Sequence, residues 1–156
     1  APWQSSLLIR KGGVDLTVDA DLQKVAISLP APLGKTSNET GKLTVNLDCN
    51  CSVSGSPIEL GVAMDDAWVA DLVLGRGGKQ LAITRGVIRG GSSASLPAQG
   101  VVLSGALPPI DVSLWQRWIA ALPSGSGGGF INQVDVEVER LDILGQQIPD
   151  VYLQGR

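Results

Sequence analysis

The residue types that most often carry out chemistry are sparse in this sequence, and their spacing favours no catalytic site. The chain has no histidine, which removes the commonest general base and every Ser-His or Cys-His arrangement. Asp65 and Asp66 form an adjacent acidic pair, but they fall where a turn leads into a strand-like run at Trp68. The other acidic residues alternate with aliphatic residues or lie in turns, whereas a glycosidase needs two carboxylates that face one cleft. We therefore expect a protein that is not an enzyme.

The glycine-rich segments do not form a phosphate-binding loop. Residues 75–78 and 125–129 lack the Gly-Lys-Ser/Thr ending of such a loop, and neither segment precedes a plausible helix. The tripeptide Gly34-Lys35-Thr36 lacks the upstream glycine that the motif requires. We expect no nucleotide or other cofactor.

Cysteine is limited to Cys49 and Cys51, which are separated by one residue. On a regular strand such residues share a face with their Cα atoms roughly 6.5–7 Å apart, at the long edge of what a disulfide tolerates. Without histidine they do not complete a usual zinc site. Two free thiols, a strained local disulfide at a turn, and a metal or redox role stay open as alternatives, and we expect no resident metal.

The charge and the length of the chain limit the kinds of protein that it can be. The chain of 156 residues has a formal net charge of −3, and its scattered charges form no basic patch of the kind that binds nucleic acid. The length suits a single domain, and no apolar run approaches the roughly 18 residues that span a membrane. Both ends lie in strand-like runs, from which we expect an excised piece of a longer protein.

Alternation of aliphatic and polar residues dominates the chain and predicts about ten strands joined by short turns, hence antiparallel neighbours in a meander. One such run, Val25 to Leu29, is predicted as a strand that ends at Pro30. Aromatic residues make up only 4% of the chain, so the inward face is aliphatic. These aliphatic side chains form either an ordinary core or a surface for an apolar ligand; the candidates for the second role are Val14, Leu16, Val18, Val25, Ile27, Leu43, Val45 and Leu47.

One short helix is predicted near residues 112–122. Its apolar stripe consists of Leu114, Trp115, Trp118, Ile119 and Leu122. Asp111 is a candidate N-cap, Ser113 and Gln116 match a capping box, and Pro123 ends the helix. The helix covers one end or face of a sheet, or it forms a lid over an apolar groove. The following segment, residues 124–129, has the composition of a mobile linker.

Three stretches carry a resemblance to a known family: SLPAPLGKT (residues 28–36), LPAQGVVLSGALPPIDVSLW (residues 96–115) and VDVEVERLDILGQQIPDVYLQGR (residues 134–156). In this order they resemble the C-terminal part of the YhdP-like proteins of the AsmA superfamily. The resemblance covers nearly the whole chain. Its most specific parts are LPAPLGK and the stretch from Leu96 to Trp115.

The resemblance implies a curved antiparallel meander sheet within a large protein of the Gram-negative cell envelope. Such proteins are anchored in the inner membrane by an N-terminal helix, extend across the periplasm and carry phospholipids toward the outer membrane in an apolar groove. It implies no catalytic residues. It also implies that phospholipid acyl chains are partners of this piece, and that membrane contact is made by other parts of the full-length protein.

The sequence therefore predicts a mainly β fold, either an open groove or sandwich-like, with one short helix. The leading functional hypothesis is a non-enzymatic segment of a lipid-transfer protein. The alternative is a closed β-sandwich that serves as a structural or protein-interaction module and binds no ligand.

Overall fold

A computed structural model describes residues 2–50, 52–65, 67–77, 80–91, 94–121 and 131–156. Strands make up most of this part of the chain, and it contains one helix, α1 (Val112–Ala121). The strands are β1 (Trp3–Arg10), β2 (Gly13–Asp21), β3 (Lys42–Cys49), β4 (Ile58–Met64), β5 (Trp68–Gly77), β6 (Gln80–Gly90), β7 (Gly100–Leu107), β8 (Ile110–Asp111), β9 (Ile131–Ile143) and β10 (Gln146–Gly155).

All ten strands belong to one open sheet. Its order is β1-β2-β3-β4-β5-β6-β7-β9-β10, and the short β8 pairs with β9. Because the described strands form a single sheet that does not close, the expectation of an open, mainly β meander is confirmed and the sandwich-like alternative is wrong.

The meander is antiparallel from β1 to β6, but the next pairings differ from the sequence prediction. Strand β7 pairs in parallel with both β6 and β9, and β8 is also parallel to β9. Parallel neighbours need a crossover connection instead of a hairpin. The segments before β7 and between β7 and β9 are such crossovers, and the second of them contains α1.

The strand register separates the side chains into two faces of opposite character. Directly paired residues lie on the same face, and consecutive residues lie on opposite faces. We call the two sides the apolar face and the polar face. One row of leucines crosses five neighbouring strands on the apolar face; it consists of Leu7, Leu16, Leu47, Leu60 and Leu72.

Three of the four best-buried side chains lie on the apolar face of β7 and β9, and the fourth, Val87 of β6, lies on the polar face. Val136 and Val138 are only 2% and 0% exposed, and they form a cluster with Leu107. Glu137, which lies between the two valines and faces the opposite side, is exposed. Helix α1 packs against β9 at this end of the sheet. This confirms the expectation of a helix that covers one part of a sheet.

The helix begins where its cap predicts. The Oδ1 atom of Asp111 accepts hydrogen bonds from the backbone N–H groups of Ser113 (2.8 Å) and Leu114 (3.2 Å), so Asp111 is the N-cap. The predicted capping box of Ser113 and Gln116 is wrong, because Ser113 already lies inside the helix.

The predicted apolar stripe of the helix is only partly buried. Trp115 and Trp118 are half-buried and contact each other edge-to-face, with ring centroids 5.8 Å apart. Leu114 is 43% exposed. The side chain of Ile119 and the whole of Leu122 lie outside the described part of the structure, as does the glycine-rich segment 124–129.

The strand predicted from Val25 to Leu29 is wrong. These residues belong to a long connection between β2 and β3, in which Ile27 forms only an isolated bridge with Lys35. The Nζ atom of Lys35 donates hydrogen bonds to the backbone oxygens of Leu22 and Val25, each at 2.9 Å. A side-chain ammonium thus pairs with carbonyl groups that a neighbouring strand would otherwise bind. The alternation of side-chain types does not reveal that a lysine competes with a neighbouring strand for these carbonyl groups.

Two smaller predictions concern Cys49 and Asp65. Cys49 is buried and disulfide-bonded, so the free-thiol alternative is wrong for this residue; Cys51 lies outside the described residues. Asp65 lies in a turn, as predicted, with its Oδ1 atom 2.8 Å from the backbone nitrogen of Lys42. Asp66 is not among the described residues.

Candidate functional site

The candidate site is the apolar face of β2 to β5, where aliphatic side chains line neighbouring strands. Six of the predicted ligand-facing residues lie on it, because the register pairs β2 with β3 side by side: Val14, Leu16, Val18, Leu43, Val45 and Leu47. The other two, Val25 and Ile27, lie outside the strands. They do not belong to the same paired array.

Sequence reasoning missed part of this face. Strands β4 and β5 extend it with aliphatic side chains at the positions that pair with β3 and with each other: Ile58, Leu60, Val62, Leu72 and Leu74. Leu7 and Ile9 of β1 continue it toward the sheet edge and are 59% and 71% exposed. The same alternation marks all of these residues, but only the register shows that they form one continuous surface.

The centre of the apolar face is not covered by any described helix or strand. Leu16, Leu47, Leu60 and Leu72 are half-buried by their neighbours in the sheet, and none of them is buried. Val136 and Val138, on the same face of β9, are at most 2% exposed. This contrast identifies β2 to β5 as the uncovered part.

The polar face of β1 to β3 carries charged and hydroxyl side chains that pair with one another. Arg10 forms an ion pair with Asp15 and lies 3.5 Å from Asp48. The hydrogen bond from Arg10 lowers the pKa of Asp15, and the hydrogen bond with Asp15 raises the pKa of Asp48. Nearby, the hydroxyl of Thr44 donates to Asp19 at 2.8 Å and lowers the pKa of that carboxyl group.

A cavity of about 500 Å³ lies on this polar side, where residues 94–96 approach the sheet. Its lining combines the acidic residues Asp15, Asp48, Glu59 and Asp71 with Val73 and Val87, and four residues of the leucine row also border it: Leu16, Leu47, Leu60 and Leu72. Both valines are nearly buried, at 5% and 1% exposure. This crossover segment therefore completes a small second core on the polar side and leaves the apolar face of β2 to β5 open.

The two most family-specific sequence stretches meet in space. The Nε1 atom of Trp115, at the end of the second stretch, donates a hydrogen bond to the backbone oxygen of Ala31 in the first stretch (2.8 Å). The two residues are 84 positions apart. The contact joins the connection between β2 and β3 to helix α1, which lies near the other edge of the sheet.

The described residues offer neither a metal site nor a membrane-spanning helix. No group of three or more His, Cys, Asp or Glu side chains in them could hold a metal ion. None of their helices has the length and apolar character needed to cross a membrane.

Fold and surface together define an open, mainly β protein with one uncovered aliphatic face and one charged face. The model of a family described as YhdP protein matches residues 1–156, the whole chain, and the chain therefore belongs to the YhdP family. The AsmA superfamily is a coarser, consistent placement, and membership points to an AsmA-like protein related to lipid transport. No curated protein matches the chain, and no solved structure does either.

Proposed function

We propose that this chain is a non-enzymatic segment of an AsmA-like lipid-transfer protein. In this role it helps to move phospholipid between the inner and outer membranes and supports the outer-membrane barrier. The segment lies in the periplasm, and the full-length protein is anchored in the inner membrane. The observation that carries the proposal is the uncovered leucine row across β1 to β5.

The leucine row suits an acyl chain. Neighbouring strands are about 4.8 Å apart, so the row from Leu7 to Leu72 provides an apolar contact at each strand. Each CH₂ group removed from water contributes about 0.8 kcal/mol, so several weak contacts hold a chain without a dedicated head-group ligand. Because the contacts repeat along the sheet, a lipid can move from one to the next.

The separation of the two faces supports the same function. Asp15, Thr17 and Asn46 alternate with the aliphatic residues of β2 and β3 and face the other side. A lipid on the apolar face therefore contacts no charged side chain of these two strands. This arrangement favours passive binding of hydrocarbon over acid-base chemistry, since the carboxylates point away from the surface that would bind the ligand.

Photo-crosslinking tests the proposal directly. A photoreactive amino acid at Leu60, on the apolar face, should crosslink to phospholipid in living bacteria. The same amino acid at Glu59, one residue earlier and exposed on the polar face, is the matched control. Native mass spectrometry of gently purified protein, followed by lipid extraction, should show bound phospholipid at a defined ratio. Equal crosslinking at both positions, or a mass without lipid, would contradict the proposal.

A further inference from the structure

The connection between β2 and β3, residues 22–41, is an ordered structure that we call the strap. Leu22 and Pro30 of the strap are buried. The Nζ atom of Lys35 binds three backbone oxygens, those of Leu22, Val25 and Thr36, at 2.9, 2.9 and 3.1 Å. These bonds tie the segment to itself, so it is expected to move as one unit.

The register places the strap and the start of α1 at the same ends of the strands. Leu43, at the start of β3, pairs with Met64 at the end of β4, and Met64 pairs with Trp68 at the start of β5. The end of β7 pairs with β9 directly before α1 begins. The strap therefore meets the helix at the strand ends that border the apolar face.

The strap is long enough to cross this distance. Six interstrand steps separate β2, where the strap begins, from β9, which corresponds to about 29 Å in a flat sheet. Ten extended residues, the number from Leu22 to Ala31, span at most about 33–36 Å. The strap thus passes along one border of the apolar face, at the strand ends marked by Met64 and Trp68.

The two attachments of the strap differ in strength. On one side it is covalently continuous with β2 and β3, and the backbone N–H of Leu22 donates to the oxygen of Gly41 at 2.7 Å. On the other side the only hydrogen bond to α1 among the described residues is that from Trp115 Nε1 to Ala31. One neutral hydrogen bond makes a small net contribution to stability, so this side, held by that bond and by the packing of Pro30, should release before the side that is covalently joined to the sheet.

We propose that the strap is a movable wall along one border of the apolar face, and that the hydrogen bond from Trp115 to Ala31 is its latch. Opening exposes the covered strand ends and admits an acyl chain from the side; closure retains the chain on the sheet. This inference rests on the proposed lipid-binding function and adds the regulation of access to the same surface.

The latch is tested by replacing Trp115→Phe in the full chain, which removes the N–H donor and keeps an aromatic ring. Spin labels on unnatural amino acids at Ser28 and Gln116, both exposed, report the distance between strap and helix without disturbing the cysteines. Loss of one hydrogen bond of about 1 kcal/mol should raise the ratio of open to closed strap about fivefold. Trp118→Phe is the matched control, since Trp118 makes no side-chain hydrogen bond among the described residues and the substitution keeps an aromatic ring against Trp115; it should leave the ratio unchanged.

If the strap is a gate for lipid entry, the open population should set the rate of lipid uptake. The assay measures how fast the same proteins take up phosphatidylethanolamine with a fluorescent acyl chain. The donor vesicles contain phosphatidylethanolamine and phosphatidylglycerol. Trp115→Phe should accelerate uptake about fivefold, in step with the open population. A longer strap-to-helix distance with uptake at the wild-type rate would overturn the gate, and an unchanged distance would overturn the latch. If no variant takes up lipid, the proposed function fails and the gate fails with it, while the distance still reports whether the latch exists.

Discussion

A single added charge distinguishes the two faces of β3 and provides the sharpest test of the lipid-binding surface. Leu47 lies in the leucine row between Leu16 and Leu60, and Asn46, one residue earlier, faces the polar side. Leu47→Asp places a carboxylate where an acyl chain would lie. Asn46→Asp introduces the same charge with almost no change in volume on the opposite face.

The expected magnitude follows from the contacts that are lost. A leucine in the row covers about three CH₂ groups of a chain that lies across it, at about 0.8 kcal/mol each. Leu47→Asp should therefore weaken phospholipid binding by about 2 kcal/mol, or roughly 30-fold in Kd. Asn46→Asp should leave the Kd within about twofold, because the hydroxyl of Thr17 can still donate to the oxygen it contacts at 3.0 Å in the native protein.

The assay is a titration of each variant with a fluorescent phospholipid below its aggregation concentration. Each variant must also show a cooperative thermal unfolding transition by circular dichroism, which establishes that it is folded. This control is needed because Leu47→Asp also removes cross-strand contacts worth up to about 1 kcal/mol each. Equal Kd values for the two folded variants would refute the assignment of the ligand to the apolar face. A larger loss for Asn46→Asp would point to the polar side instead.

Three further predictions concern the strap and the crossover region. Lys35→Met should lower the free energy of unfolding by about 2 kcal/mol or more, as measured by urea denaturation, because it removes all the Nζ hydrogen bonds and leaves carbonyl oxygens unpaired. Hydrogen bonds from Thr36 lower the pKa of Glu39, so their stabilisation is complete above the unfolded pKa and is lost as pH falls through the folded value. The turn from Thr36 to Glu39 should therefore loosen as pH falls below the ordinary glutamate pKa of about 4.3, and Glu39→Gln should abolish that pH dependence in the hydrogen exchange of the Thr36 amide. Gly90→Ala should destabilise the fold strongly in a thermal melt, because a Cβ atom would lie 2.1 Å from a backbone oxygen of β7, while Gly155→Ala has open space and should be neutral.

Much of the fold could be predicted from local pattern. Alternation in β2 and β3 depends only on side-chain type at successive positions, so Leu16 and Asp15 were assigned to opposite faces before their partners were known. The N-cap Asp111 was equally local, since a carboxylate accepts hydrogen bonds from N–H groups two and three residues later. The family resemblance came from stretches of contiguous sequence for the same reason, and the family match confirms it.

The errors arose where distant segments compete with local pattern. Val25 and Ile27 alternate as a strand does, but Lys35 and two prolines give their segment a different set of hydrogen bonds. The parallel pairing of β7 with β6 and β9 depends on crossovers that no strand pattern encodes. Helix propensity did not predict that Leu114 would be exposed, because the face that a helix buries depends on what it packs against.

Residues that are neighbours along the chain encode the amphipathic strands, the helix start and the family of this protein. Packing between distant segments sets which part of the apolar face is buried, as at Val136 and Val138, and which part stays open, because burial is not a local property. The same packing also decided that Trp115 meets Ala31 across 84 residues. That contact exists because the chain brings the strap and helix to one border of the sheet.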